Sequence, residues 1–318
     1  MTFLVLVCIL LKMSAQTKTK KYLIVGGAGF IGSHLTDELI RLKHKVVVLD
    51  NLSNGKRENV NPRAKFIKAD IRYPKQISPY FKNIDGVFLL AALPRVQYSI
   101  DYPVKTNNNN VNGILNVLIA SRDAKVKRLV YSASSSVYGD NQKLPLKETY
   151  KPNPKSPYGL QKYIGEEYCR IFSMLYNLET VSLRYFNVYG SRMDDQGAYA
   201  LVISKFLKQK KENQPLTITG DGNQTRDFTH VSDVVRANIL AMTIKKIGQG
   251  EVINIGAGKN YSVNQVAKMI SDKIEYIAQR VEPHDTLADN SLAKKMIKWQ
   301  PKVRLEQGIK VLLKESGF

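Results

Sequence analysis

The amino-acid sequence predicts an α/β protein with a doubly wound parallel sheet and a smaller α/β domain in its C-terminal part. The chain has 318 residues, enough for about two domains of roughly 150 residues each. Short apolar runs rich in β-branched residues recur along it, and stretches with helical spacing of apolar residues lie between most of them. Strands that alternate with helices are typical of parallel sheets with right-handed crossovers.

The first elements predict a dinucleotide-binding unit. A short apolar run, Tyr22–Val25, leads directly into the glycine-rich segment Gly26–Gly32. Apolar residues at helical spacing follow in Ser33–Leu42, and a second apolar run, Val46–Leu49, ends at Asp50. A glycine motif in this order of strand, turn, helix, strand and acid indicates dinucleotide binding. A purely structural glycine turn is the alternative.

Each part of this unit has a physical role. Gly26 permits the tight turn, Gly29 lets the backbone approach a pyrophosphate, and Gly32 lets the helix pack on the strand. The helix N-terminus presents free N–H groups and the positive end of its dipole to the phosphates. Asp50 lies 18 residues after Gly32, where a carboxylate hydrogen-bonds the adenosine ribose and repels a 2′-phosphate. The cofactor predicted is therefore NAD and not NADP.

Further buried strands divide the rest of the chain. They are predicted at Lys65–Lys68, Gly86–Leu90, Arg128–Ser132, Thr180–Arg184 and Val252–Ile255. We expect an N-terminal extension over residues 1–20, a dinucleotide-binding domain over 21–187 and a substrate-binding domain over 188–318. Segments within 229–256 are expected to return to the first domain.

Composition and cysteine content exclude several classes of protein. With 43% hydrophobic and 24% charged residues, the chain is neither disordered throughout nor collagen-like. The two cysteines, Cys8 and Cys169, are too few for a disulfide framework and indicate a reducing compartment. The four histidines lie far apart, without cysteine or carboxylate at ligand spacing. We therefore expect no metal site.

The formal net charge of +21 is compatible with nucleic acid, a membrane surface or an anionic ligand. The basic residues are scattered, however, and no aromatic–basic interleaving resembles an RNA-stacking strand. The apolar run Thr2–Leu11 is well short of the ~20 residues that span a bilayer, and nothing basic precedes it. Ser14-Ala15-Gln16 leaves secretion open as a weak cleavage site. We expect a cytoplasmic enzyme without nucleic-acid or membrane partners.

Two groups of polar residues predict a catalytic site. Tyr158 and Lys162 are four residues apart, so on a helix they share one face, and a nearby ammonium lowers the pKa of a phenol from its usual value near 10. The run Ser134-Ser135-Ser136 follows a predicted strand, at the sheet edge where ligands bind. The alternative for Tyr158 and Lys162 is a surface tyrosine with a solvated lysine. The alternative for the serine run is a turn that hydrogen-bonds its own backbone.

The glycine spacing G-x-x-G-x-x-G, together with later segments, resembles the extended short-chain dehydrogenase/reductase family, and specifically its nucleotide-sugar epimerases. The resemblance covers nearly everything from Tyr22 to the C-terminus. The segments that carry it are Gly26–Leu35, Asp50–Gly55, Asp70-Ile71, Leu90–Ala92, Asn109–Gly113, Tyr131–Gly139, Tyr158–Lys162, Arg184–Gly190 and Arg226–Val231.

This resemblance implies a fold, a cofactor site and roles for the reacting groups. The fold is an NAD-binding Rossmann domain with a smaller α/β domain forming a cleft over it. Tyr158 is the base and Ser134 the catalytic hydroxyl, with Ser135 as the second choice. The implied contacts with NAD are Gly26, Gly29, Phe30, Ile31, Gly32, Asp50, Asn51, Asn54, Gly55, Asp70, Ile71, Leu90, Ala91, Ala92, Asn109, Ser132, Tyr158, Lys162 and Tyr185.

The same resemblance implies the substrate contacts. Asn187 holds the sugar diphosphate, and Arg226 grips it, with Arg280 as a second clamp; a structural salt bridge is the alternative for either arginine. Thr286 lies at the position that admits or excludes an N-acetyl group on the sugar. Ala198 and Tyr199 belong to a stretch resembling epimerases that accept N-acetylhexosamines. Ser134 and Tyr158 contact the sugar.

The activity implied is NAD-dependent inversion of the 4-hydroxyl of a UDP-sugar, either UDP-glucose/UDP-galactose or UDP-GlcNAc/UDP-GalNAc, through a 4-keto intermediate. The serine run lacks the Asp-Glu pair of the dehydratases, and UDP-glucuronate decarboxylases also usually carry a carboxylate there. A decarboxylase, a reductase, or a non-catalytic NAD- or RNA-binding protein stay as alternatives. A homodimer through the helices around 109–120 and 158–176 is implied. Two departures from the family are Leu89 and the pair Pro94-Arg95.

Overall fold

The computed structural model of the chain describes residues 19–140, 143–193, 201–278 and 284–318. Nearly all of the predicted N-terminal extension lies outside these ranges. In chain order the strands are β1 (Lys21–Val25), β2 (Lys45–Asp50), β3 (Lys65–Lys68), β4 (Gly86–Leu89), β5 (Arg128–Ser134), β6 (Glu179–Tyr185), β7 (Val188–Tyr189), β8 (Leu216–Thr219), β9 (Thr225–Asp227), β10 (Thr229–His230), β11 (Gln249–Ile255), β12 (Asn260–Ser262) and β13 (Ile274–Ile277).

The helices fill the intervals between these strands. They are α1 (Phe30–Arg41), α2 (Pro74–Ile77), α3 (Val96–Asp101), α4 (Pro103–Asn107), α5 (Ile114–Asp123), α6 (Pro157–Tyr176), α7 (Val202–Lys211), α8 (Val231–Thr243), α9 (Val263–Lys268), α10 (Ser291–Ile297) and α11 (Leu305–Glu315). A π-helical segment, Asn108–Gly113, joins α4 to α5. Among the described residues, no helix has both the length and the apolar character that crossing a membrane requires.

Seven strands form one parallel sheet in the order β11-β6-β5-β4-β1-β2-β3. The chain first moves outward from β1 to β2 and β3, and then returns to place β4 on the other side of β1. Ligands in such sheets bind beyond the carboxyl ends of the strands at this reversal. The predicted doubly wound α/β fold is confirmed.

Alternate residues of the central strand enter two separate cores, as the two-residue period of a strand dictates. Ile24 packs with α1 and α8 on one face of the sheet, where Trp299 is fully buried. Leu23 and Val25 pack with α5 and α6 on the other face. Because helices cover both faces, the strands read as continuous apolar runs in the sequence.

A smaller unit is built mainly from the C-terminal part. Two-stranded pairings β10-β7, β12-β9 and β13-β8 surround a third core that contains Phe206, Ile218 and Leu305. The strand β11 and the helix α8 do not belong to it: β11 extends the edge of the large sheet beside β6, and α8 packs on α1.

The helix α6 carries both the predicted base and Lys162, and its sequence defines where it begins and ends. Ser156 caps it, its Oγ accepting a hydrogen bond from the Gly159 N–H at 3.1 Å, and Pro157 occupies the first position. Proline suits this position because its missing N–H has no partner there. The helix ends at Asn177, which adopts a left-handed conformation with φ of 54°.

Candidate active site

The glycine-rich segment after β1 forms a cradle at the sheet reversal. Gly26 has φ of +88° and a Cβ there would lie 2.5 Å from the Ala91 nitrogen, so no other residue fits. Gly29 is open: a Cβ would meet only the Gly26 oxygen, at 3.5 Å. It precedes α1, which begins with Phe30 and Ile31 and has no side-chain cap. The free N–H groups of this turn make an anion-binding helix terminus.

Asp50, the last residue of β2, is held against this turn. Its Oδ2 accepts a hydrogen bond from the Ala28 N–H at 2.9 Å, and its Oδ1 accepts one from Leu52 at 2.8 Å. Burial raises the pKa of this carboxyl, while the two backbone hydrogen bonds lower it. Each oxygen keeps a lone pair, so the carboxylate can accept hydrogen bonds from a ribose.

Polar side chains beyond Asp50 extend the cradle. Asn51 donates to Asp70 at 3.0 Å, and Arg72 pairs with the same carboxylate at 2.7 Å. Burial alone would raise the pKa of Asp70, but hydrogen bonds from Arg72 and Asn51 lower it to about 2. Ile71 is buried, Asn54 is exposed, and Gly55 lies against Ala28.

The loop after β4 forms the opposite wall of the cradle. Leu90 and Ala91 both donate backbone hydrogen bonds to the Val25 carbonyl, at 2.8 and 2.9 Å, and Ala92 follows them. Further along the loop, Leu93 exchanges two hydrogen bonds with the side chain of Asn110. Asn109 is buried and donates to Asn110 at 3.1 Å. The predicted cofactor residues at the ends of β1, β2 and β4 therefore lie side by side at the carboxyl edge of the sheet.

The predicted catalytic residues meet at the ends of β5 and α6. Burial raises the pKa of Tyr158 to about 12, opposed by the hydroxyl of Ser134 and by the charge of Arg95. The Nζ of Lys162 lies 5.8 Å from the centroid of the Tyr158 ring and donates to the Ser132 carbonyl at 2.8 Å. Burial lowers the pKa of Lys162 to about 8, opposed by the negative charge of Glu166. Ser134 and Arg95, and not Lys162, are thus the groups that lower the pKa of Tyr158.

The serine run separates into different roles. Ser134 ends β5, and its Oγ accepts hydrogen bonds from the N–H of Ser136 at 3.2 Å and from the Oγ of Ser136 at 2.9 Å. Ser135 begins a short 3₁₀ helix that ends at Tyr138. Of the three serines, Ser134 is the one that lowers the pKa of Tyr158. The serine run therefore forms a turn that hydrogen-bonds its own backbone, and it also places the Ser134 hydroxyl beside Tyr158.

Tyr185 ends β6 beside this group. Its hydroxyl is 3.0 Å from the Ser132 Oγ and donates to Asn238 at 3.0 Å. Burial raises the pKa of Tyr185 to about 12, although both hydrogen bonds lower it. Because the hydroxyl is directed to these partners, any contact with a nicotinamide would come from the ring.

The residues expected to hold the substrate form a second group. Asn187 has φ of +26°, and its Nδ2 donates to the Asp227 carbonyl at 3.1 Å and to the Thr286 Oγ1 at 3.2 Å. Arg226 is buried, and its Nη1 donates to the carbonyls of Thr225 and His284, each at 2.9 Å. Asn187 and Thr286, 99 residues apart in sequence, are therefore neighbours. Ala198, Tyr199 and Arg280 lie outside the described residues.

Two buried polar side chains next to the site, Asn110 and Asp227, were not predicted from the sequence. Asn110 is hydrogen-bonded both to Leu93 and to Gln161 of α6, and its Nδ2 donates to the Gln161 Oε1 at 2.9 Å. Asn110 therefore connects the loop after β4 to the helix that carries Tyr158. The asparagine run at 107–110 is the signal that points to it. Asp227 is buried, and its carboxylate accepts backbone hydrogen bonds from Ala257, Gly258 and Ala288 at 2.7 to 3.0 Å; burial outweighs these bonds and raises its pKa to about 6.

In the ranges that the structure describes, no group of three or more His, Cys, Asp or Glu side chains is placed to hold a metal ion. The chemistry that the site offers is that of a phenol, a serine hydroxyl and an ammonium group beside a cradle for a pyrophosphate. Such a set can move a proton on and off a hydroxyl group.

Comparison with known proteins gives consistent matches. The model of the NAD dependent epimerase/dehydratase family matches residues 22–256. A protein of Methanocaldococcus jannaschii named putative UDP-glucose 4-epimerase is 41% identical over 299 residues, 91% of this chain and 95% of that protein. UDP-glucose 4-epimerase of Thermotoga maritima, solved with UDP-glucose, has a TM-score of 0.89 at 38% identity, covering 92% of this chain and 97% of the other.

Two further solved structures differ in the sugar they hold. UDP-N-acetylglucosamine 4-epimerase of Methanobrevibacter ruminantium, in complex with UDP-N-acetylmuramic acid, has a TM-score of 0.88 at 36% identity, covering 94% of this chain and all of the other. UDP-glucuronic acid 4-epimerase of Bacillus cereus, in complex with UDP-glucuronic acid and NAD, has a TM-score of 0.86 at 33% identity, covering 93% and 99%.

Proposed function

Because the chain belongs to the NAD-dependent epimerase/dehydratase family, we propose that it is an NAD-dependent epimerase that inverts the 4-hydroxyl of a UDP-hexose. The observation that carries this proposal is the position of Tyr158 and Lys162 on α6 against the end of β5, where the Lys162 Nζ donates to the Ser132 carbonyl at 2.8 Å and Ser134 lowers the pKa of Tyr158, at the edge of the sheet that also holds the glycine cradle. A base and a hydroxyl donor placed together there suit the removal of a proton from a sugar hydroxyl.

The residues of the cradle fit NAD. Gly26 and Gly29 leave room for a pyrophosphate at the start of α1, and the buried carboxylate of Asp50 disfavours a 2′-phosphate. Bound NAD supplies a hydride acceptor for carbon 4 of the sugar and then a hydride donor for its opposite face. Since no net oxidation results, the cofactor acts as a prosthetic group.

The side chains have distinct tasks around the 4-hydroxyl. Tyr158 accepts the hydroxyl proton and returns it after inversion. With a pKa of about 12, the phenol becomes an effective base only where neighbouring positive charge and hydrogen bonds stabilise the phenolate. Ser134 lowers the pKa of the phenol, and Lys162 keeps an ammonium group on the same side of the helix.

The nucleotide part of the substrate is assigned to the smaller unit. We place Asn187 and Arg226 at the diphosphate, since a guanidinium forks onto two oxygens and stays charged. We also propose that the substrate contacts Arg280, Ala198 and Tyr199. Thr286 is proposed to admit or exclude an N-acetyl group at carbon 2 of the sugar. The functional division is then residues 21–187 with the returning segments for NAD, and residues 188–318 for the UDP-sugar. Asn187, the last residue of the first part, contacts the UDP-sugar.

We propose a homodimer through the helices around 109–120 and 158–176, the second of which is α6, with the neighbouring α3–α4 segment extending the interface. Val104 of α4 is 74% exposed, and Leu160, Met174 and Leu175 of α6 are also exposed apolar residues. Of the apolar stripe on α6, Ile164, Tyr168 and Ile171 are half-buried, whereas Phe172 is buried in the core of its own subunit. Exposed apolar side chains concentrated on adjacent helices favour a protein interface.

The cysteine usage supports a cytoplasmic location, and the dispersed positive charge supports a protein without a nucleic-acid partner. Both are proposals about the whole chain. The described cysteine, Cys169, is buried, which raises its pKa to about 12 and makes it a poor nucleophile.

The activity can be tested directly. Purified protein is incubated with UDP-glucose and UDP-GlcNAc separately, without added NAD, and the products are identified by NMR. Appearance of the 4-epimer is expected for at least one of the two pairs, and Tyr158→Phe serves as the inactive control. Net consumption of added NADH would instead assign a reductase, and loss of a carboxyl carbon from UDP-glucuronate a decarboxylase.

A further inference from the structure

A buried carboxylate lies where three segments of the chain meet, beside the residues proposed to hold the substrate. Asp227 is the last residue of β9 and is fully buried. Its Oδ1 accepts a hydrogen bond from the Ala257 N–H at 2.7 Å, and its Oδ2 accepts bonds from the N–H groups of Gly258 at 2.9 Å and Ala288 at 3.0 Å. One side chain therefore satisfies three backbone N–H groups that come from outside its own strand.

A glycine gives this carboxylate the space it needs. Gly256 follows β11, and a Cβ at this position would lie 2.9 Å from the Asp227 Oδ2 and would overlap the Cβ of Ala288. Any side chain at position 256 would therefore push the carboxylate and Ala288 apart. The close approach of Asp227 to Ala288 thus depends on a glycine that belongs to a third segment.

The segment that contains Ala288, residues 284–289, is also bound to β9 through its backbone. The Thr225 N–H donates to the His284 carbonyl at 3.0 Å, and the Thr286 N–H donates to the Thr225 carbonyl at 3.1 Å. On its other side, Ala288 forms a bridge with Leu146. The hydrogen bond from Ala288 to Asp227 therefore fixes one end of a segment that is already aligned with β9.

The residues proposed to contact the substrate share this attachment. Arg226 directly precedes Asp227, and its Nη1 donates to the His284 carbonyl at 2.9 Å. The Thr286 Oγ1 accepts hydrogen bonds from the Asp227 N–H at 3.3 Å and from the Asn187 Nδ2 at 3.2 Å. Asn187 also donates to the Asp227 carbonyl at 3.1 Å. All three proposed substrate residues are thus bonded to Asp227 or to the segment that it holds.

Asp227 also connects these residues to the large sheet. Ala257 and Gly258, which donate to its carboxylate, come directly after β11. The last residue of β11, Ile255, is paired with Tyr185 at the end of β6, and Tyr185 is one of the proposed NAD contacts. The carboxylate therefore joins the part of the fold that is assigned to the UDP-sugar to the sheet that carries the cofactor cradle.

We infer that Asp227 is a positioning residue of the substrate site, which holds Arg226 and segment 284–289 in the arrangement that binds the UDP-sugar without itself contacting the sugar. This inference rests on the proposed 4-epimerase function and adds a residue that determines substrate affinity. Hydrogen bonds to an ionised carboxylate are stronger than those between neutral groups. A site that is ordered before binding does not lose affinity to the cost of ordering it.

The experiment uses full-length protein and the variant Asp227→Asn. Asparagine keeps the size of the side chain, but its NH₂ group cannot accept a hydrogen bond, so at least one of the three N–H groups loses its acceptor. The matched control is Asp233→Asn. Asp233 is also buried, and its Oδ2 accepts bonds from the N–H groups of Lys302 at 2.9 Å and Val303 at 3.0 Å, which fixes the segment before α11. Both variants are expected to melt below wild type.

Binding of UDP is measured by calorimetry and turnover of UDP-glucose and UDP-GlcNAc by NMR, at a pH above the Asp227 pKa of about 6. Asp227→Asn should raise the Kd of UDP and the KM of both sugars roughly tenfold or more, the scale of one hydrogen bond to a charged group. Its kcat at saturation should stay within about threefold of wild type, because uniform binding and not the chemical step is weakened. Asp233→Asn should leave Kd and KM unchanged.

Hydrogen exchange of the wild-type protein provides a second measurement that does not depend on the variant folding. Saturating UDP should slow exchange at the N–H groups of Ala257, Gly258 and Ala288 by roughly tenfold or more, since their opening then requires release of the ligand. The N–H groups of Lys302 and Val303, which Asp233 holds, are the control in the same experiment and should exchange at an unchanged rate.

Several results would overturn the inference. If Asp227→Asn melts lower but keeps the Kd and KM of wild type, as expected for Asp233→Asn, Asp227 has a structural role only, and the 4-epimerase proposal stands. A fall in kcat at unchanged KM would place Asp227 in the chemical step. UDP that binds without slowing exchange at Ala257 and Gly258 would show that the carboxylate does not couple the two parts. Wild type that neither binds UDP nor forms a 4-epimer would reject the proposed function together with the inference.

Discussion

The ammonium group of Lys162 donates a hydrogen bond to the backbone carbonyl of Ser132, with 2.8 Å between nitrogen and oxygen. This bond joins α6 to β5 at one point. Tyr158 lies one helical turn before Lys162, and Ser134 lies two residues after Ser132, so the bond brings the phenol and the serine hydroxyl face to face. Lys162 therefore positions the reacting pair in addition to carrying charge.

Replacing Tyr158 by phenylalanine should abolish inversion, because only the oxygen that accepts the proton is lost. We expect kcat to fall by at least about 10²-fold, while denatured protein still releases NAD at the wild-type ratio, measured by chromatography. Activity within about tenfold of wild type would show that another group is the base. Recovery of NADP would contradict the role of Asp50.

Replacing Ser134 by alanine should lower kcat roughly 10²–10⁴-fold, the usual scale of a positioned proton-transfer group. The matched control is Ser135→Ala, one residue along in the same turn, which should retain activity. Because Ser134 also accepts the Ser136 N–H, thermal melting of both variants should accompany the kinetics. A larger kinetic loss in Ser135→Ala would move the reacting hydroxyl to Ser135.

The pKa of Lys162 predicts an alkaline limit on activity. With a pKa of about 8, the ammonium loses its proton above that pH, and its charge-assisted hydrogen bond to the Ser132 carbonyl weakens. Because this bond positions Tyr158, kcat should fall. Lys162→Arg keeps the charge and should move the limit upward, whereas the exposed control Lys151→Arg should not. A pH profile that stays flat to pH 9.5 in wild type would contradict the role of this charge.

The same group affects stability with a definite sign. The pKa of Lys162 in the folded protein lies below its ordinary value of 10.5, so between about pH 8 and 10.5 the unfolded chain binds more protons. The free energy of unfolding contributed by Lys162 therefore rises with pH in this window and is lost as the pH falls through 8. Chemical denaturation of wild type and Lys162→Arg across the window should show this rise only in wild type.

Two adjacent glutamates on α6 predict contrasting stabilities. Glu166 is buried and pairs with buried Arg184 at 2.7 Å, whereas Glu167 pairs with Arg170 on the surface. Glu166→Gln leaves a buried guanidinium without its counter-charge and should cost about 3–5 kcal/mol of unfolding free energy. Glu167→Gln should cost about 1 kcal/mol or less. Similar losses in the two variants, measured by denaturant titration, would contradict the argument from burial.

Thr286 predicts selectivity for the substituent at carbon 2. Its replacement by tyrosine should suppress UDP-GlcNAc/UDP-GalNAc inversion more than UDP-glucose/UDP-galactose inversion, because an acetamido group needs the space. Thr286→Val is the control: it removes the hydroxyl that bonds Asn187 but keeps the size, and should affect both pairs alike. Wild type should epimerise the N-acetylated pair at least as well as the other.

The sequence predicts those parts of the molecule that depend on neighbours along the chain. The strands of the large sheet and the glycine turn follow from apolar runs and local spacing, and four-residue spacing is enough to pair Tyr158 with Lys162. Contacts between distant segments leave no such pattern. The bonds from Asn110 to Leu93 and Gln161 span 17 and 51 residues, and only the folded chain brings them together.

The sequence also predicts which residues form the site better than it predicts which of them changes the pKa of Tyr158. We expected Lys162 to lower the pKa of Tyr158, yet its Nζ is directed to a carbonyl, and Ser134 and Arg95 have that effect instead. Arg95 stood out in the sequence only as a departure from the family. Which charge acts on a phenol depends on side-chain directions, and those are decided by packing.

The position of β11 has a consequence for the order in which the protein folds. Its partner β6 ends at Tyr185, but β11 begins only at Gln249, so the residues of β7 to β10 are synthesised before the last strand of the large sheet. During synthesis the edge of β6 stays open while the intervening residues emerge, and an open strand edge can pair with another chain. Closing this edge is a late, long-range step, and a chaperone that covers β6 should raise the yield of native enzyme.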